Sequence, residues 1–342
     1  MGRKMKALFF LLFSSLFFIN GNTVLASTNQ QIDLLLKPEA DIAQIEETVK
    51  QIDFESEITV IPEINLIRVI ATKDNDIQKV LNNDLIKESV EEYGELDSII
   101  IKDKEIENDT LLTLPNKQRA KMSSIEFFDM MAWHVDEITD NRRSLEISRG
   151  DGISIALIDS GVDEEHPILE GKINFDKARS FIEGESIKVT NSDGTMVAGI
   201  ITQLAPGAMI TPYRVISEKS GDSMWSVQAI IQAVKDKCDI INMSLGTFKS
   251  TDVSDDVLTI NAFQRAVDYA KSEGIIIVAA AGNYGVDLDK IVDDEKRLYL
   301  PGCLDGVVNV SAEHKNELSS YSDYGSSIQF TAPGGDIVLL DG

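Results

Sequence analysis

Ile153-Ser154-Ile155-Ala156-Leu157-Ile158-Asp159-Ser160-Gly161-Val162-Asp163 is an apolar run that ends in a carboxylate, followed by a serine and a glycine. A run of this length and composition reads as a buried strand, and in an open parallel sheet the C-terminal ends of strands are where sites are built. Downstream, Asn191-Ser192-Asp193-Gly194-Thr195 opens a helix that carries Val197, Ala198, Ile201 and Leu204. Three more runs repeat the first pattern: Ile240-Ile241-Asn242-Met243-Ser244-Leu245-Gly246, Ile275 to Asn283, and Phe330-Thr331-Ala332-Pro333-Gly334-Gly335. Each reads as a buried strand ending in small or polar residues. Buried strands alternating with helical segments predict an α/β fold, a parallel sheet flanked by helices.

Five such blocks in this order resemble the subtilisin-like serine endopeptidases, over the stretch from about Met131 to Gly342. The resemblance implies a role for each matched position. Asp159 stands at the triad Asp, Asn283 at the oxyanion-hole Asn, and Ser244-Leu245-Gly246 on the strand that pairs with bound peptide. Asp193 stands where the family has its triad His, and does not reproduce it. Within the family the chain is most similar to the leader peptidases of lantibiotic clusters, of nisin and epidermin type. The run Ile210 to Lys219, Trp225, the segment Ala229-Ile230-Ile231-Gln232-Ala233 and Met196 carry that likeness. A lantibiotic precursor leader, or another peptide, is the implied partner.

Acyl transfer on this fold needs a hydroxyl nucleophile, an imidazole base, a carboxylate that orients it and donors for the oxyanion. Asp159 and Asn283 answer to two of the four. The chain has three histidines, His134, His166 and His314, and none stands in a motif that would serve. Asp193 is a weak substitute: an ordinary Asp titrates near 4, and once ionised it cannot donate to Asp159. Two carboxylates about 4 Å apart repel by roughly 4 kcal/mol at an effective dielectric near 20, which would push one of them to hold a proton. The family's nucleophile opens a helix some tens of residues after the Ala-Pro-Gly turn, whereas this sequence stops at Gly342. No candidate nucleophile is identified. The expectation is an inactive, C-terminally truncated member, incomplete beyond the apolar Ile337-Val338-Leu339-Leu340.

In front of this domain, Arg3, Lys4 and Lys6 precede an apolar run from Ala7 to Ile19, and Val24-Leu25-Ala26 offers small residues. That is the pattern of a secretory signal peptide, residues 1–26, and predicts an exported, extracellular protein. Nothing later reads as a membrane span. From 27 to 100 the periodicity changes. Ile32 to Leu36 reads as a strand, Asp41 to Ile52 as a helix, and Ile58 to Ile61 with Leu66 to Thr72 as a strand pair. A helix carrying Ile77, Val80 and Leu81 follows, then a last strand near Ile86 to Val90. This is the order of a ferredoxin-like α+β module, and prodomains of the family look like it. Residues 101–125 read as a linker where processing would occur, and 126–342 as the peptidase-like domain.

A net charge of −25, from 57 acidic and 32 basic residues, excludes a nucleic-acid partner. Two cysteines, Cys238 and Cys303, are too few for a disulfide-stapled design; they could pair, but Cys238 before a buried strand reads as a small core residue. The chemistry needs no cofactor and no metal ligand set is evident. The resemblance leaves room for structural calcium at Asp163-Glu164-Glu165 or Asp287 to Asp294. Besides the inactive remnant, two readings stay open: a pseudoenzyme that binds peptide or confers immunity without cutting, and a prodomain that acts in trans as inhibitor or folding aid.

Overall fold

The computed structural model describes residues 30–96, 98–100, 133–189, 193–217 and 220–336. The signal-like segment, the linker at 101–125 and Ile337 to Leu340 lie outside the described residues.

The N-terminal unit consists of β1 (Gln30–Leu36), α1 (Ile42–Ile52), β2 (Glu57–Ile61), β3 (Leu66–Ala71), α2 (Asp74–Asn82), α3 (Asp84–Ser89) and β4 (Val90–Gly94). Its antiparallel sheet has the order β2-β3-β1-β4, the arrangement of a ferredoxin-like module. Asp41 starts α1 by accepting a hydrogen bond from the Gln44 N–H, and Ile45 and Val49 on that helix pack against Ile67, Val69, Ile77 and Val80. The strand expected at Ile86 to Val90 is corrected. Asn83 accepts from the N–H groups of both Leu85 and Ile86, caps α3 and turns Ile86 inward, so the last strand begins at Val90.

The larger unit is built on a sheet of order β15-β14-β12-β10-β6-β8-β7. Its parallel strands are β6 (Ser154–Asp159), β7 (Arg179–Ser180), β8 (Met209–Arg214), β10 (Ile240–Met243), β12 (Ile276–Ala280) and β14 (Val307–His314). A short antiparallel β15 (Glu317–Leu318) follows β14, and β16 (Phe330–Pro333) pairs parallel to it. The flanking helices are α4 (Trp133–Ile138), α5 (Asp193–Leu204), α6 (Ser223–Lys235), α7 (Ser254–Ser272) and α8 (Leu288–Glu295). This is the parallel α/β architecture that the resemblance implies. Val227, Ile230 and Ile231 of α6 and Leu258, Phe263 and Val267 of α7 bury one face of the sheet, against Ala156, Ile158, Ile241 and Ile277.

One local expectation changes. Phe330 is exposed rather than buried, because β16 pairs only with β14 among the described residues and forms an edge. His314 lies in β14, edge-on to Trp133, which His134 also contacts. Ser244-Leu245-Gly246 follow the end of β10 as extended loop, leading into β11 (Thr247–Ser250), which pairs with β13 (Arg297–Leu300). Cys238 and Cys303 are both free thiols, Cys238 buried.

The two units share one hydrophobic cluster, in which Leu35, Ile61, Ile64, Leu66 and Leu96 join the residues of α6 and α7. Arg265 on α7 pins the contact: its Nη1 donates to the carbonyls of Leu36 (2.8 Å) and Ile64 (3.0 Å), and its Nη2 pairs with Glu91. Asn261 donates to Glu92 at 2.8 Å and Lys235 pairs with Glu63 at 2.7 Å. Arg265→Ala therefore leaves two carbonyls without their charged donor and should cost about 1.5–3 kcal/mol in urea unfolding. Proteolysis between the units should accelerate in parallel.

A short strand after the N-terminal unit crosses to the larger one. β5 (Ser98–Ile100) pairs antiparallel with β9 (Ser220–Asp222), Ile99 opposite Gly221.

Candidate active site

The strands β6, β10 and β12 lie side by side in parallel register, with Ile158 and Ala279 both opposite Met243. Their C-terminal ends therefore open onto one edge of the sheet, where Asp159 closes β6, Ser244 follows β10 and Asn283 follows β12. The sequence-predicted positions are thus gathered by topology.

Asp159 is 2 % exposed. Its Oδ1 accepts from the backbone N–H of Ser160 at 2.6 Å and from the Ser160 hydroxyl at 3.0 Å. The Gly194 N–H in turn donates to Ser160 Oγ at 3.1 Å, which ties the start of α5 to the carboxylate. Asp159 Oδ2 is buried and has no hydrogen-bond partner among the described residues. This is the oxygen left over where a side chain with an N–H would be needed. Gly194 is required here: a Cβ on it would run into the Gly161 carbonyl oxygen and lie 3.3 Å from the Asp159 Cβ.

Asp193 is the first residue of α5 and its side chain is exposed. A carboxylate in the first turn is favoured by the helix dipole, but it offers Asp159 no donor. Burial lifts the Asp159 carboxyl from its ordinary 3.8 to about 6, against the two Ser160 hydrogen bonds that favour the charged form. The negative charge of Asp193 adds only a lesser contribution. The expectation that mutual repulsion would dominate is corrected: desolvation does, because Asp193 stands in solvent.

Asn283 is exposed on the loop after β12. That loop is set by a residue that sequence reasoning missed. Asp323, fully buried, accepts at Oδ1 from the N–H groups of Tyr284 (2.9 Å) and Val286 (3.0 Å), and Gly282 takes a φ of +114° over it. Tyr299 fills the space between the two walls, where a Cβ on Gly246 would meet its ring and a Cβ on Gly282 would come within 3.2 Å of it. Phe248, Tyr284 and Tyr299 form an aromatic cluster there, with ring centroids 4.9 to 6.4 Å apart. No signal in the sequence would have joined Asp323 to Asn283.

A separate short edge, β9, is occupied by the chain's own β5. It too depends on residues the sequence did not single out. Arg68 on β3 makes a bidentate pair with buried Asp33 (2.7 and 2.9 Å) and reaches Asp222 of β9 at 3.7 Å, while Asp33 Oδ2 accepts from the Leu96 N–H at 2.8 Å.

The three histidines and the serines of these strands and loops lie elsewhere or are engaged. His134 and His314 flank Trp133, and His166 precedes the turn at Pro167. Ser311 is buried in β14, Ser326 is hydrogen-bonded to Asp289, and Ser244 accepts from Asn242. Glu164 pairs with Lys188, Asp163 accepts from the Glu165 N–H, Asp287 caps α8 and Asp289 is engaged by Ser326. Among the described residues no three His, Cys, Asp or Glu side chains gather closely enough to hold a metal.

The sequence profile of the Subtilase family matches residues 150–341. The epidermin leader peptide-processing serine protease EpiP of Staphylococcus epidermidis is 27% identical over 372 residues, covering 97% of this chain and 78% of that protein. The crystal structure of a lanthipeptide protease is 38% identical with a TM-score of 0.58, over 60% of this chain and 62% of that one. The structure of the Staphylococcus aureus EpiP aligns over 91% of this chain and 76% of its own, at 24% identity and a TM-score of 0.69, and speaks for the fold across both units.

Proposed function

Because the chain belongs to the Subtilase family, we propose that it is a relative of the lanthipeptide leader peptidases that holds an extended peptide in its cleft without hydrolysing it. The likeness to the epidermin and lanthipeptide proteases supports the leader as the peptide class. The observation that carries the loss of hydrolysis is a buried Asp159 whose Oδ2 has no donor among the described residues, with a carboxylate, Asp193, opening α5. A triad works because the imidazole accepts the nucleophile's proton while its other N–H is held by the carboxylate. A carboxylate at 193 cannot do both. Peptide capture needs none of this. It needs a backbone edge that takes an extended strand, and β9 takes one in this structure, the chain's own β5, whose place a captured peptide would have to fill.

A fluorescent leader peptide of a lanthipeptide precursor should bind the purified chain saturably and be recovered intact by mass spectrometry after prolonged incubation. Cleavage at a single bond would overturn the inactive reading, and absence of saturable binding would overturn the capture reading. In this proposal residues 1–26 direct export, and no helix among the described residues is long and apolar enough to cross a membrane.

The interface formed by Arg265, Asn261 and the shared cluster favours one further role, an N-terminal unit that acts as prodomain toward this or another subtilase domain. Titrating that unit into an active relative should inhibit it at micromolar concentration, and no inhibition would remove the idea.

A further inference from the structure

At the far end of α5 from Asp193, a cavity of about 480 Å³ opens between α4, the 142–149 segment and the last turn of the helix. A volume of that order is the size of a ligand pocket. Val135, Leu145 and Pro206 give it apolar wall, and Arg142, Arg149 and Glu146 give it charge. Arg142 is engaged by Asp136 at 3.0 Å, so Arg149 is the cation the cavity offers. Arg149 is placed firmly, since its carbonyl accepts from the Gly207 N–H at 2.7 Å. Its guanidinium forms no ion pair among the described residues, and the cationic group lies at the C-terminal end of a helix, where the dipole favours it.

The polar floor of the cavity is unsatisfied. Thr202 is 7 % exposed, and its Oγ1 has no hydrogen-bond partner among the described residues. Gln203 spends its amide N–H on the Gly199 carbonyl at 3.3 Å, which leaves its buried Oε1 with none. A buried acceptor without a donor costs free energy until something supplies one. The complement to this set is a molecule with a carboxylate for Arg149, backbone N–H donors for Gln203, and an apolar side chain for the wall.

We propose that this cavity binds the free C-terminal end of a peptide, its α-carboxylate on Arg149 and its last amide N–H groups directed to Gln203 and Thr202. Guanidinium and carboxylate match as a two-point pair, which an ammonium or an amide does not reproduce. The site is separate from the β9 edge, so it stands or falls independently of the leader-capture proposal.

Isothermal titration of the full chain with N-acetyl-dileucine, as the free acid and as its C-terminal amide, tests the assignment. The acid should bind saturably and the amide at least about tenfold more weakly. Arg149→Gln, a surface change that leaves the fold intact, should abolish that difference, and Gln203→Leu should weaken the acid without changing the acid-to-amide preference as much. Equal affinity for acid and amide, an unaltered preference in Arg149→Gln, or no saturable binding of either compound would overturn the proposal.

Discussion

Asp159→Asn should make the protein more stable at pH 8 by about 2–3 kcal/mol and change little at pH 4. The carboxyl is 2 % exposed, and burial lifts it from the ordinary 3.8 to about 6, so the folded state prefers the protonated form. The native chain then holds more protons than the unfolded one between those values, and stability falls as pH rises through that window. This group's contribution is complete below about pH 4 and gone above about pH 6. A displacement of this size is worth about 3 kcal/mol. Asparagine keeps an acceptor for Ser160 and carries no charge to desolvate, so the variant should lose the pH dependence from this site. Urea unfolding of both proteins at pH 4, 5, 6 and 8 measures it. Parallel profiles would mean that Asp159 ionises without penalty, for instance because something donates to Oδ2 in solution.

Arg68→Ala should have the larger effect, a loss of about 3–5 kcal/mol, because it removes the cation from a carboxylate with no exposure to water. Asp33 would keep the Leu96 N–H, but not the bidentate partner. The double change Arg68→Met with Asp33→Leu removes both charges together and should recover most of the loss, since an apolar pair has nothing left to desolvate. The consequence reaches the cleft. Leu96 lies two residues before β5, and Arg68 also approaches Asp222 at the end of β9, so Arg68→Ala should speed amide exchange at Gly221 beyond what global destabilisation explains. Unchanged protection at β9 in a variant that is still folded would show that β5 is held by its own ladder alone.

The position of Asp193 was legible without coordinates, because Gly194, Thr195, Ala198 and the neighbouring strand residues keep their spacing around it. The parallel sheet was legible for the same reason: apolar runs such as Ile153 to Ile158 and Ile275 to Ala281 have few other ways to be buried. Errors fell where local hydrogen bonding outweighed apolar pattern. At Ile86 an Asn83 cap turned an apolar residue into the buried side of a helix. The repulsion argument for the Asp pair erred because it assigned both carboxylates the same surroundings.

The sequence by itself determined the α/β class, the order of the blocks and the residue types at the positions matched by the resemblance, since these depend on composition and on spacing along one chain. Only the tertiary structure decided that Asp159 Oδ2 lacks a donor, that buried Asp323 holds the Asn283 loop, that Arg68 joins the N-terminal unit to β9, and that Arg149 meets Thr202 and Gln203 in one cavity. Each of these joins groups far apart in the chain, and desolvation and hydrogen-bond satisfaction are properties of the space around a group, which no local pattern records.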